Sequence, residues 1–153
     1  MTATISEKLD ALGIVLPQAA APAANYLPVM TSGNLLYTSG QLPLRDGKLV
    51  HEGLLGRDLT VEQGQEAAKW SAINILAQAQ SALGDLEKIK RIVKISVFVA
   101  SMPNFTEQHL VANGASNLLA DVLGDAGRHA RSAVGMASLP LNAPVEIEAI
   151  IEF

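Results

Sequence analysis

The sequence predicts an α+β fold of order β-β-β-α-β-α-β-β, preceded by a short helix, and three observations carry that prediction. In Val145-Glu146-Ile147-Glu148-Ala149-Ile150-Ile151, apolar residues alternate with glutamates, as a half-buried strand requires. Ala68, Ala72, Ile75, Ala79 and Leu83 recur at three- and four-residue spacing, the stripe of a long amphipathic helix. Asp46-Gly47 is a strong hairpin signal, because both residues tolerate the positive φ of a tight turn.

The elements follow in order. Thr4-Ile5-Ser6-Glu7 has the form of a capping box; Leu9 and Leu12 follow, and Gly13 stops a short leading helix. Pro17 to Ala24 is a connector of small residues without periodicity, so residues 1–24 read as an appendage to one domain over residues 25–153. Asn25 to Met30 reads as a strand, Ser32-Gly33-Asn34 as a turn, and Leu35 to Gly40 as its antiparallel partner. A third strand at Lys48–His51 completes a meander. Thr60-Val61-Glu62-Gln63 is a second capping box that starts the longest helix, and Gly84 closes it. Arg91 to Ala100 is a strand with Val93, Ile95, Val97 and Val99 on one face. Pro103-Asn104 starts the next helix, with Asn104 and Glu107 as a third box; its stripe is Val111, Ala115, Leu118 and Val122, and Gly124 ends it. Arg131 to Phe153 is a strand, a turn punctuated by Pro140 and Pro144, and a final strand. These strands make one mixed six-stranded sheet, and two long helices can cover only one of its faces.

Composition narrows the function. The chain of 153 residues is 49% hydrophobic and 17% charged, which is apolar for a soluble monomer and points to surface covered by another subunit. A net charge of −4 and no basic run longer than Lys90-Arg91 argue against nucleic acid as a partner. Without cysteine there are no disulfides, thiolate metal sites or cysteine nucleophiles. His51, His109 and His129 match no local metal spacing. No stretch reads as a leader or approaches membrane-spanning length, and a cytoplasmic setting is the expectation.

In the last strand Glu146 and Glu148 share the side opposite Val145, Ile147, Ala149 and Ile151. If the turn at Leu139–Pro144 folds the chain back, Arg131 can lie near these carboxylates, on the uncovered face. An arginine that holds an anion and a carboxylate that handles a proton suit chemistry on small acids. From the residues alone, an ordinary ion pair between Arg131 and Glu146 or Glu148 is an equal alternative. Packing of the uncovered face against copies of itself predicts a closed homo-oligomer.

Several short stretches fall in one order along the chain: Tyr26; Gly33-Asn34-Leu35-Leu36-Tyr37-Thr38-Ser39-Gly40-Gln41-Leu42-Pro43; Val93 to Val99; Asn113; Arg131-Ser132; and Leu139-Pro140 through Val145-Glu146-Ile147-Glu148-Ala149. Together they resemble the reactive-intermediate deaminase A family, also called YjgF/YER057c/UK114, over roughly residues 20 to 153. The resemblance implies a chorismate-mutase-like fold, a homotrimer with sites in clefts between subunits, and hydrolysis of 2-imino or 2-enamino acids such as 2-aminoacrylate to 2-oxo acids and ammonia without a cofactor. It implies that Arg131 grips the substrate carboxylate and that Glu146 positions or deprotonates the attacking water. Glu148 reads as a solvated strand residue. Tyr26 would close the cleft from another subunit, or is an edge aromatic. Ser39, Gly40 and Gln41 would line the pocket, or form a bulge or strand end. Asn113 would touch substrate, or lie on a helix surface. Many relatives carry cysteine where this chain has Ala133, so a backbone contact survives there and a thiol role does not. The leading helix, Glu52–Asp58 and Met102–Ala115 look expanded, as in a separate longer-form branch. Gly56-Arg57-Asp58 and Gly127-Arg128-His129 read as exposed loops that could border the cleft.

Two other readings stand beside the deaminase: a non-catalytic protein that binds a 2-oxo acid in the same pocket, and an endoribonuclease. The acidic charge and the absence of a basic patch or a histidine pair weigh against the last.

Overall fold

The strand that ends the chain lies in the middle of the sheet. A computed structural model describes residues 2–21 and 24–153. In it β7 (Val145–Glu152) pairs antiparallel with β2 (Leu35–Thr38) on one side and with β5 (Arg91–Ala100) on the other. The edges are β1 (Val29–Ser32), antiparallel to β2, and β6 (Ala130–Met136), parallel to β5. The order is β1-β2-β7-β5-β6. Val145, Ile147, Ala149 and Ile151 are all buried, as their alternation requires of a central strand with one covered face.

The sheet has five strands and not six. The short strands β3 (Leu44–Arg45) and β4 (Lys48–Leu49) pair only with each other, around Asp46-Gly47 at φ 53° and 77°. The Asn74 amide on the long helix tethers this hairpin: its Nδ2 donates to the carbonyls of Leu42 and Leu44, at 3.3 and 2.9 Å. The first strand begins at Val29, because Pro28 has no N–H for a ladder; Asn25 and Tyr26 lie in a bend before it. Val93 is not on the buried face. The β5–β7 register shifts between Ile92 and Lys94, a bulge that leaves Val93 exposed and puts Ile92 in the core with Ile95, Val97 and Val99.

α2 (Val61–Leu83) and α3 (Gln108–Leu123) cover one face of the sheet. The Thr60 box forms, with Gln63 N donating to Thr60 Oγ1 and Thr60 N to Gln63 Oε1, and Gly84 ends α2 at φ 81°. The Asn104 box does not form. Phe105 N bonds the Met102 carbonyl in a turn after Pro103, and α3 starts at Gln108 with no side-chain cap at Glu107. The leading helix α1 (Ile5–Ala11) has the predicted Thr4–Glu7 box. It is no appendage: Ile5, Leu9 and Ile14 join the same core as both long helices, and Ile5 N donates to Glu87 Oε1 at 2.6 Å. No helix among the described residues is long and apolar enough to cross a membrane.

α2 and α3 approach closely because Gly114 has no side chain. A Cβ there would sit 2.8 Å from Gln65 Cα, against backbone that cannot rotate away. Gly114→Ala gains about 1 kcal/mol of helix propensity, yet overpacking against backbone at this crossing should cost about 3 kcal/mol, for a net loss of about 2 kcal/mol. Urea unfolding reads it directly, and an unchanged midpoint would mean that other contacts set the helix spacing.

Candidate functional site

Arg131 enters the site from the edge strand β6. It registers with Ile95, which is buried under the helices, so its side chain leaves the sheet on the helix-covered side. There it meets one stripe of α3, where His109, Asn113 and Ser116 follow at helical spacing. Arg131 Nη1 donates to Asn113 Oδ1 at 2.9 Å and to Ser116 Oγ at 3.1 Å, and Nη2 donates to the His109 carbonyl at 3.2 Å. These bonds occupy three of the five guanidinium donors. Nε and one Nη2 hydrogen remain, a pair suited to a carboxylate.

The ion pair open to Arg131 by sequence does not form. Strand β5 lies between β6 and β7, and Glu146 and Glu148 leave the opposite face of the sheet. Among the described residues the ion pairs are His51–Glu66, Arg57–Asp58 and Arg91–Glu152. Arg131 is therefore oriented by neutral acceptors and keeps its full charge.

Ser116 links Arg131 to His129. The His129 Nδ1 lies 2.6 Å from the Gly127 carbonyl, which can only accept, so that nitrogen carries the hydrogen. Nε2 lies 2.9 Å from Ser116 Oγ, whose hydroxyl then donates to it while accepting from Arg131. Burial holds the His129 pKa below its ordinary value; the Gly127 bond opposes this, and the Arg131 charge adds to the lowering. A recess of about 290 Å³ opens here, lined by Ser116, Asn117, Ala120, Arg128, His129 and Arg131. Ser116 escaped the sequence reading, and His129 entered it only within the loop Gly127-Arg128-His129 that could border the cleft. The available signals were the spacing from His109 and Asn113, and the place of His129 two residues before Arg131.

Glu146 stands on the open face, registered with Phe98. Its carboxyl lies over Gly40: a Cβ on Gly40 would come within 2.8 Å of the carboxyl carbon, so a side chain there would push the Glu146 carboxyl from this place. Burial raises the Glu146 pKa and the neighbouring Glu148 raises it further, while Glu148 itself is exposed.

The residues beside Gly40 hold the chain in place. Ser39 Oγ donates to the Leu27 carbonyl at 2.7 Å, fixing the segment that follows Tyr26. Gln41 exchanges backbone bonds with Ile147, and its side chain is buried on the core side, between the Ser39 carbonyl and the Gln78 amide. Tyr26 is exposed beside β1, at the edge of the sheet opposite β6. Ala133 follows Arg131 on the same side of β6, paired with Val97. The chain thus carries two separate polar groupings, a guanidinium cluster at the β6 edge and a carboxylate on the open face. No group of three or more His, Asp or Glu among the described residues is placed to hold a metal ion.

Residues 6–152 match the family model described as "YjgF/chorismate mutase-like, putative endoribonuclease". The chain is 52% identical over 149 residues to Protein TCP17 of Trypanosoma cruzi, covering 97% of this chain and 93% of that one. It is 28% identical over 138 residues to the 2-iminobutanoate/2-iminopropanoate deaminase of Dermatophagoides farinae, covering 90% and 93%. The crystal structure of the protein Atu1372 from Agrobacterium tumefaciens, whose function is unknown, superposes with a TM-score of 0.93 at 60% identity, covering 97% of this chain and 92% of that one.

The raised pKa of Glu146 sets a pH dependence. The folded chain holds this proton more tightly than the unfolded chain, so the contribution is fully present below the ordinary value of 4.5 and is lost as pH rises through the folded value. Glu146→Gln should therefore raise Tm at pH 7 and leave it unchanged at pH 4. Thermal melts at both values decide it, and an equal shift at each would contradict the assignment.

Proposed function

The chain belongs to the YjgF/chorismate mutase-like family, and from that premise we propose that it is a cofactor-independent deaminase of 2-imino or 2-enamino acids. One observation carries the reading. Arg131 is oriented by three neutral acceptors, pairs with no carboxylate, and keeps two donors for a ligand. A guanidinium held in this way selects a carboxylate by two parallel hydrogen bonds. The name of the mite relative, a deaminase of small 2-imino acids, is consistent with that choice of ligand.

Glu146 supplies the proton chemistry. Its pKa is raised by burial and by Glu148, the direction that suits a carboxylate which must accept a proton and return it. Water adds to C2 of the protonated imine as Glu146 takes a proton from it, and a carbinolamine forms. Glu146 returns that proton to the amino nitrogen. The C–N bond then breaks as the carbinol O–H gives its proton to the ionised Glu146, leaving a 2-oxo acid and ammonia, and Glu146 passes that proton to the departing ammonia or to solvent.

Arg131 and Glu146 lie on opposite faces and two strand spacings apart, about 10 Å, so one chain cannot close both around a small acid. We place the ligand between subunits of a homotrimer. The exposed Met30, Tyr37, Val93 and Val134 on the open face support burial of that face in an assembly. Tyr26, at the opposite edge from Arg131, would then reach the cleft from a neighbour. Asn113 acts in this scheme by holding Arg131, and Ser39 and Gln41 act by holding the Gly40 turn against Glu146.

With 2-aminoacrylate released by a pyridoxal-phosphate lyase, the protein should accelerate pyruvate formation. Arg131→Ala should reduce that acceleration by about 10²-fold or more, the value of two charge-assisted hydrogen bonds. Equal acceleration by the variant would reject the reading. Light scattering should show a trimer, and a fully active monomer would reject the shared site.

A further inference from the structure

We propose that the recess beside Arg131 is a second anion subsite, so that the favoured ligands are dicarboxylic 2-imino or 2-oxo acids. The proposal rests on the reading of Arg131 as the grip on the first carboxylate. Its own evidence is the distribution of charge. Beyond Lys94 the chain has two Lys or Arg residues, Arg128 and Arg131, and both line this recess. The same stretch holds Glu107, Asp121, Asp125, Glu146, Glu148 and Glu152, and none of them lines it.

Other recesses among the described residues are different. Each has a carboxylate in its wall: Asp10, Asp85 and Glu87 under α1, Asp46 and Glu66 beside the β3–β4 hairpin, and Asp121 opposite Lys69. In a chain of net charge −4, the Arg128–Arg131 recess is concave, basic and free of acid groups. Arg128 forms no ion pair among the described residues, and only its backbone N–H is engaged, with the Asp125 carbonyl. Two guanidiniums sharing one hollow repel each other, and a bound anion relieves that repulsion.

The remaining wall suits a polar guest. Asn117 and Ser116 offer uncharged polar groups, and Ala120 leaves room. His129 stays neutral beside Arg131 and orients Ser116, adding no third positive charge. A volume of about 290 Å³ has room for a short acidic side chain. An aliphatic side chain placed here would crowd the Arg128 guanidinium without giving it a partner.

Stable 2-oxo acids test this without turnover. Calorimetry on the full-length protein should show 2-oxoglutarate binding about 5-fold tighter than 2-oxobutanoate, the worth of one partly exposed charge pair. Arg128→Gln should bring that ratio to about one, and Arg131→Ala should weaken both ligands. Equal wild-type affinities, or a preference that survives Arg128→Gln, would overturn the subsite and leave the Arg131 reading standing. Affinities unchanged by Arg131→Ala, or binding of neither acid by the wild-type protein, would overturn the reading and the subsite together.

Discussion

The parallel pairing of β6 with β5 is the constraint from which the rest of the site follows. Two parallel strands cannot be joined by a hairpin, so the chain must cross over the sheet between them. Here the crossover contains α3, and the crossing lays its His109–Asn113–Ser116 stripe beside the inward-facing residues of β6. Arg131 is one of those residues. On an antiparallel edge strand reached by a short turn, the same guanidinium would have no helix beside it and no fixed direction.

That geometry orients Arg131 without discharging it. The Asn113 amide, the Ser116 hydroxyl and the His109 carbonyl accept hydrogen bonds and bring no negative charge. Glu146 shows the converse on the other face. It lies over the bare backbone of Gly40, partly desolvated and beside a second carboxylate, and its proton is held more tightly than usual. A sheet covered on one side only gives a cation and an acid different surroundings. It also keeps them apart, which is why the proposed ligand site lies between subunits.

Legibility in the sequence varied with the range of the interaction. The Thr4 and Thr60 boxes, the Gly84 stop, the Asp46-Gly47 turn and the alternation of β7 all form as read, because each is set within a few residues. The Asn104 box failed against the competing turn that closes Phe105 onto Met102. The bulge at Val93 was invisible because Val93-Lys94-Ile95-Ser96-Val97 alternates cleanly, and only pairing with Ile150 and Ile151 shows where the phase slips. The third strand lies outside the sheet, in a hairpin bonded to the amide of Asn74, about thirty residues away in sequence.

The sequence by itself determined which residues face together along β7 and the two long helices, where most elements start and stop, and, through its motif order, the family. These properties depend on backbone periodicity and short-range caps, which need no partner from afar. Tertiary structure decided that β5 separates Arg131 from Glu146, that Asn113, Ser116 and His129 gather around the guanidinium, and that Gly40 lies beneath the carboxylate. Strand order and helix crossover bring together residues that no local pattern relates, so the electrostatic character of each grouping appears only once the chain is folded.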